Sequence, residues 1–281
     1  MTIREFAPAK INLALHVTGQ RTDGYHLLDS LVCFANVGDW ISVHPAQDLR
    51  LKISGPLGDG LAVEDNLAMQ AAKLLQKDQG AQIILEKNLP VSSGIGGGSA
   101  DAAACLQALQ KLWRCPAPSL AELITLGADV PVCHQGNPAR MRGIGEQIEP
   151  VPNLPVLDAV LANPGIEVST VGVFSQLVSA SNSGLDGFPT SSHFDDWVEF
   201  LLAQRNDLQV PAIEAAPEIA GVLADLDRTP SCVLARMSGS GATCFGIYPD
   251  SGAAQAAAAQ ITAKHSAWWV CTAKFGRKIM S

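Results

Sequence analysis

Gly94, Gly96, Gly97 and Gly98 fall within five consecutive positions, and Ser99 follows at once. Glycine lets a backbone approach a ligand closely and adopt positive φ. With a strand leading in and a helix leading out, several amide N–H groups point one way and the helix dipole adds to them. That is an anion site, and phosphate is the commonest anion. A tight turn without a ligand needs one or two glycines; four, with a serine at a helix start, favour phosphate. Other phosphate loops fit less well. Walker A needs a lysine directly after its glycines, and none stands here. The Rossmann fingerprint needs Gly or Ala at its sixth position, which is Ser99 in this chain, and it opens a first βαβ unit instead of lying in mid-domain. A protein-kinase catalytic loop of the H-R-D type is absent.

Other residues could do chemistry. Lys10 lies in the apolar stretch PAKINLAL; a charged residue in such a strand is either paired or at a solvated edge. Asn12, two residues on, faces the same side of that strand. Asp129 sits between a helix end and Pro131, where an aspartate on its own reads as a turn residue. Asp101 falls in the first turns of the helix after the glycines. The helix dipole favours it there, but its charge is awkward near phosphates unless Mg²⁺ or water intervenes. Tyr25 and His26 are adjacent in a chain with only two tyrosines. His16, His44, His134, His193 and His265 have no metal-ligand spacing, so no protein-held metal is assigned and Mg²⁺ is expected to arrive with ATP.

These residues need elements to hold them. Residues 11–17 alternate as a strand, and 36–43 form a second. Leu67, Ala71, Leu74 and Leu75 have helical spacing behind an N-cap at Asp65 or Asn66. Residues 82–88 read as the strand entering the glycine loop. Ala102, Leu106, Leu109 and Trp113 mark one buried helix face after it, ending before Pro116. Ser119 with Glu122 is a capping box, for a helix ending near Gly127. Pro150, Pro152 and Pro155 place a domain boundary, dividing the chain into 1–152 and 153–281. Residues 178–195 read as an exposed loop. SCVLARM and ATCFGIY flank Ser238–Gly241 as strand, loop and strand; a helix at 252–264 and a strand at 268–275 follow. Strands and helices mix without βα alternation, so the class is α+β.

Composition narrows the function. The chain has 281 residues, 47% hydrophobic and 16% charged, ordinary for a soluble globular enzyme of two domains. A net charge of -8 disfavours nucleic acid as partner. Seven cysteines, an odd number without C-x-x-C spacing, argue against disulfides or structural zinc and for a reducing, cytoplasmic setting. No signal peptide and no bilayer-spanning run are read. Small molecules are the expected partners; oligomeric state is not indicated.

PAKINLALHV at 8–17, PVSSGIGGGSADAA at 90–103 and MSGSGATCFGIY at 237–248 resemble, in order, the three motifs of the GHMP kinase superfamily. RTDGYHLLDSLVCF at 21–34, LGADVPV at 126–132, GIGEQIEPV at 143–151 and NPGIEVSTVGVF at 163–174 are similar to the branch acting on 4-diphosphocytidyl-2-C-methyl-D-erythritol. The resemblance implies an N-terminal domain like ribosomal protein S5 domain 2 and a ferredoxin-like C-terminal domain. It implies transfer of the γ-phosphoryl of ATP, with Mg²⁺, to the substrate's 2-hydroxyl in the non-mevalonate isoprenoid route. Asp129 would be the catalytic aspartate, paired with Lys10. ATP would lie on Pro90, Val91, Ser92, Ser93, Gly94, Ile95, Gly96, Gly97, Gly98, Ser99 and Ala100. Asn12 would bind the polyol, Tyr25 stack on cytosine, His26 bond the ring edge, and Phe174 stack opposite, with Thr170 near. The family usually has Ser at Ala100 and Asn or Ala at Asp101. Homoserine or mevalonate as acceptor, and nucleotide binding without catalysis, are the competing readings.

Overall fold

A computed structural model describes residues 2–75 and 79–276. The chain opens with two long antiparallel strands, β1 (Ile3–Gln20) and β2 (His26–Ala46), turned by the exposed segment 21–25. Then come β3 (Arg50–Ser54), α1 (Leu67–Leu75), β4 (Gly80–Glu86), α2 (Gly97–Trp113), α3 (Leu120–Leu126) and α4 (Val130–Gln135). β5 (Ala139–Gly143), β6 (Gln147–Pro150), β7 (Leu157–Asn163), α5 (Thr170–Ser175), α6 (Phe194–Leu202), α7 (Gln209–Ala215) and α8 (Glu218–Asp227) follow. β8 (Leu234–Met237), β9 (Cys244–Tyr248), α9 (Ser251–Lys264) and β10 (Trp269–Gly276) complete the described chain.

One sheet links these strands in the order β3-β4-β2-β10-β7-β9-β8, with β1 and β5 also on β2 and β6 on β5. The β3–β4 pair is parallel and the others are antiparallel. β2 can serve four neighbours because β1 runs along one edge of its 21 residues, while β5, β10 and β4 take successive stretches of the other. The architecture is a two-part α+β arrangement.

β1 is buried without a break from Ala7 to Val17. Both of its faces are covered, which is why its middle reads as near-continuous apolar sequence and not as strict alternation. One face meets the core of α1, α2, β2 and β4, through Ala7, Ile83, Leu85, Ala102, Leu106 and Leu109. The other meets a core that joins early and late residues: Ile11, Leu31, Trp197, Phe245 and Phe275. A third core lies under α7, α8 and α9.

Local signals act as their chemistry dictates. Asn66 starts α1, its Oδ1 accepting from Ala68 N at 2.9 Å. Ser119 and Glu122 make a reciprocal capping box on α3, which ends at Gly127. α2 stops at Trp113 because Arg114 turns left-handed two residues before Pro116. The expectation of an exposed loop at 178–195 needs correcting at both ends of its meaning. Helix α6 begins at Phe194, and Leu185 is buried. Arg140 and the amide of Leu185 both bond Asp29, which fastens the loop to β2. The Arg140 bond and that amide outweigh burial and hold the Asp29 carboxyl below its ordinary range.

Candidate active site

A cavity of about 690 Å³ opens where β1, the glycine loop, α4, α5 and the 238–241 loop converge. Its size is ordinary for a small-molecule site. β1 contributes Lys10 and Asn12, on one side of the strand as their spacing predicts.

The glycine loop is shaped by contacts that exclude side chains. Gly94 has φ +74, and a Cβ there would lie 2.3 Å from Ser238 O and 2.7 Å from Gly241 N. The second and third motifs, on the pocket floor, therefore touch backbone to backbone. Gly96 is the left-handed N-cap of α2, at φ +61, and lies against the stem of Lys10. No side chain caps α2. Ala100 N donates to Gly96 O, so the amides of Gly97, Gly98 and Ser99 precede the first intrahelical bond. They are free to receive an anion, and the seventeen-residue helix adds its dipole. Of the loop from Pro90 to Ala100, the side chains of Ile95 and Ala100 are buried in the protein and do not line the cavity; the other nine residues do.

Lys10 Nζ lies 2.7 Å from Asp129 Oδ2. The ammonium is nearly covered, whereas a third of the Asp129 side chain is open to the cavity. Asp129 is the N-cap residue of α4 but makes no capping bond. Its carboxylate is turned to Lys10 instead. Asn12 is held by both nitrogens: its N–H donates to Ser238 Oγ and its Nδ2 to Ser30 Oγ. Its Oδ1 is buried, has no partner, and belongs to a residue lining the cavity. A buried acceptor left open at a cavity wall suits a ligand hydroxyl.

The other end of the cavity carries Leu15, Leu28, Thr170, Phe174 and Leu208. Thr170 Oγ1 and Ser240 Oγ are 2.8 Å apart. His26 and Phe174 stack on each other, centroids 4.9 Å apart and planes 23° apart. Tyr25 is 63% exposed in the β1–β2 turn. His26 and Tyr25 stand outside the cavity wall, and the Phe174 face toward β2 is covered by His26.

Sequence reasoning did not single out Asn206 and Lys87, and it named Ser238 only as part of the third-motif loop. Ser238 accepts from Asn12 N–H and donates to Gly94 O at 3.0 Å, so one hydroxyl ties the acceptor strand to the phosphate loop. Asn206 Nδ2 donates to Met237 O and Gly239 O, fixing the 238–241 loop from behind. Lys87, which also lines the cavity, bonds Asp39 and Asp101. Asp101 thus meets an ammonium, which offsets its charge beneath the phosphate loop. Among the described residues no group of three or more His, Cys, Asp or Glu is placed to hold a metal ion. Ser99 and Asp129 offer oxygens at the cavity wall, which suits a Mg²⁺ carried in by phosphates.

The chain matches the GHMP kinases N terminal domain over residues 66–144 and the GHMP kinases C terminal domain over 194–267. It is 54% identical to a 4-diphosphocytidyl-2-C-methyl-D-erythritol kinase of Cereibacter sphaeroides, over 96% of this chain and 98% of the relative. The same identity and coverage relate it to the enzyme of that name from Ruegeria pomeroyi. A crystal structure of 4-(cytidine 5'-diphospho)-2C-methyl-D-erythritol kinase superposes with a TM-score of 0.80 at 33% identity, covering 97% of this chain and 99% of that one.

Proposed function

The chain belongs to the GHMP kinases and, within them, to the 4-diphosphocytidyl-2-C-methyl-D-erythritol kinases, and on that premise we propose how its own residues carry out the reaction. The enzyme phosphorylates the 2-hydroxyl of 4-diphosphocytidyl-2-C-methyl-D-erythritol in the non-mevalonate route to isoprenoids. The observation that carries the residue assignment is the Lys10–Asp129 pair opening on the same cavity as the uncapped start of α2.

Phosphoryl transfer asks mainly for positioning and charge neutralisation. ATP places its phosphates at the amides of Gly97, Gly98 and Ser99, with its nucleoside toward Leu61, Asn66 and Pro90 on the outer wall. Mg²⁺, bound with the nucleotide, neutralises phosphate charge. The acceptor hydroxyl lies by Asp129, which takes its proton as the oxygen attacks the γ-phosphorus and the bond to ADP breaks. Lys10 donates to one Asp129 oxygen and so leaves the other for the hydroxyl. Asn12 Oδ1 accepts from a second polyol hydroxyl. Thr170 and Phe174 bound the cytidine end, with Tyr25 and His26 at its rim. Seating a base against Phe174 then requires His26 to swing aside or the base to use the opposite ring face.

We also propose the division into 1–152 and 153–281. It falls between β6 and β7, in the proline-bearing segment 151–156, and the two family matches lie on either side of it. No described helix is long and apolar enough to cross a membrane.

The test is ADP release with ATP and Mg²⁺ and, in parallel, the cytidine compound, homoserine and mevalonate. Turnover confined to the cytidine compound supports the assignment of the Phe174 end. Turnover with either other acceptor removes it.

A further inference from the structure

The edge of β1 that does not pair with β2 is met by both loops of the site. Lys10 N donates to Ile95 O at 2.9 Å. Two residues on, Asn12 N donates to Ser238 Oγ at 3.0 Å, and that hydroxyl donates to Gly94 O at 3.0 Å. Two outward amides of the strand thus engage two adjacent carbonyls of the phosphate loop, one directly and one through a serine. A hydroxyl accepts and donates at once, so Ser238 is a spacer between strand and loop.

The β1–β2 ladder does not fix this stretch by itself. It shifts register between Pro8 and Lys10 and again between Asn12 and Ala14. Such breaks free the short segment between them from the regular ladder, and the outer edge helps to set its place. The spacer is itself held. Ser238 N donates to Thr243 O at 2.9 Å, and Gly241 N donates to Ser238 O at 3.0 Å. Asn206 Nδ2 ties the flanking carbonyls of Met237 and Gly239. Gly94 already lies against Ser238 O and Gly241, where an added Cβ would strike backbone, so the phosphate loop has no room to close further on that side.

Both ends of the tie carry groups of the reaction. On the strand, the Lys10 ammonium holds Asp129 at 2.7 Å, and Asn12 Oδ1 is buried, unpartnered and part of a cavity-lining residue. On the loop, Gly94 lies three residues before Gly97, where α2 begins with its free amides. Ser238 is fully buried and does not line the cavity. It reaches neither ligand, but it spans the supports of both.

We propose that Ser238 is a positioning residue that sets the gap between the acceptor hydroxyl and the γ-phosphorus. The inference rests on the placing of the acceptor at Asp129 and of the phosphates at the start of α2. Phosphoryl transfer is mainly a matter of positioning, and a displacement of about 1 Å can cost about 10²-fold in rate. Without the hydroxyl, Asn12 N–H and Gly94 O are left buried and unpaired, which the backbone relieves by shifting. That shift changes the distance between strand and loop and leaves each ligand's own contacts in place.

The experiment is single-turnover transfer by the full chain with ATP, Mg²⁺ and 4-diphosphocytidyl-2-C-methyl-D-erythritol, beside separate titrations with a non-hydrolysable ATP analogue and with the acceptor. Ser238→Ala is expected to slow transfer at saturation about 10- to 100-fold, while both dissociation constants stay within about threefold of wild type. Ser238→Cys keeps the shape with a weaker donor and acceptor, and its rate should fall between the two. A hydroxyl that only stabilised the fold would not give this split between rate and affinity. An unchanged transfer rate in Ser238→Ala overturns the proposal, as does a loss that saturating ligand makes good. Should Ser238→Ala fail to fold, Ser238→Cys decides by the same criteria. Absence of wild-type turnover with the cytidine compound overturns the assignment of the acceptor itself, whatever the variants do.

Discussion

An ammonium within a buried strand carries a desolvation penalty of several kcal/mol unless its surroundings offset it. At Lys10 the offset is visible: Asp129 accepts from Nζ at 2.7 Å, and the aliphatic stem lies against Gly96. The arrangement places the carboxylate between a fixed charge and an open cavity, as a proton acceptor requires. Asp129→Asn keeps the shape and the Lys10 contact but cannot take the proton. Turnover is expected to drop about 10²–10⁴-fold, the usual size of a general-base contribution, with ATP affinity retained. Single-turnover rates and a separate nucleotide titration check this, and an unchanged rate would remove Asp129 from the chemistry. The pair was legible from two short motifs 119 residues apart. The triad of Lys87, Asp39 and Asp101 was not. Its members come from a loop, a strand and a helix, and each alone has an ordinary reading: Asp39 as a strand residue, Lys87 as surface charge, Asp101 as a dipole-favoured helix residue. Only the fold shows that they share one dry site.

The active site depends on how two loops meet. The β4–α2 loop and the β8–β9 loop are in contact through Gly94, Gly239 and Gly241, where an added Cβ would strike backbone or the Met237 side chain. Ser238 Oγ donates to Gly94 O, and Thr243 N donates to Ser93 O. The glycines flagged as phosphate ligands thus do two jobs: Gly97 and Gly98 open the helix start, while Gly94 lets the loops close on each other. The sequence shows the cluster but not this division of labour, because the partner loop lies over a hundred residues away. Gly94→Ala puts a Cβ 2.3 Å from Ser238 O at φ +74. Either the loops separate or the backbone takes on strain of order 1–3 kcal/mol. Both nucleotide affinity and denaturant midpoint are expected to fall. A variant with normal affinity and midpoint would show that the contact is not needed. Other elements were harder to read. β3, β5 and β6 are four or five residues long, too short for alternation to stand out. β5 and β6 take their place by pairing along a long neighbour and with each other.

The family halves of the chain are not separate bodies in the way two cores joined by a linker would be. β10 pairs with β7 from Trp269 to Phe275 and reaches β2 at Ala35 and Phe34. β1 exchanges backbone bonds with the 205–207 segment: Leu15 N donates to Arg205 O, and Asp207 N to Leu15 O. Arg236, buried without a carboxylate, donates to Leu13 O, Leu201 O and Gln204 O, and burial lowers it to about 10. One core joins Ile11 and Leu31 to Trp197, Phe245 and Phe275. Proline clustering is the ground for proposing where the chain passes from one half to the other, but composition carries no trace of strands that return to pair. Contacts this extensive make the halves one cooperative unit. Two tryptophans test the point. Trp40 packs on Phe6 in the early strands, and Trp197 is fully buried in the shared core. In variants retaining one or the other as sole tryptophan, urea unfolding followed by fluorescence is expected to give the same midpoint from both, and the same midpoint from far-ultraviolet circular dichroism. A Trp197 transition preceding that of Trp40 would mean that residues 153–276 unfold on their own, and that the shared sheet does not couple the site's two walls.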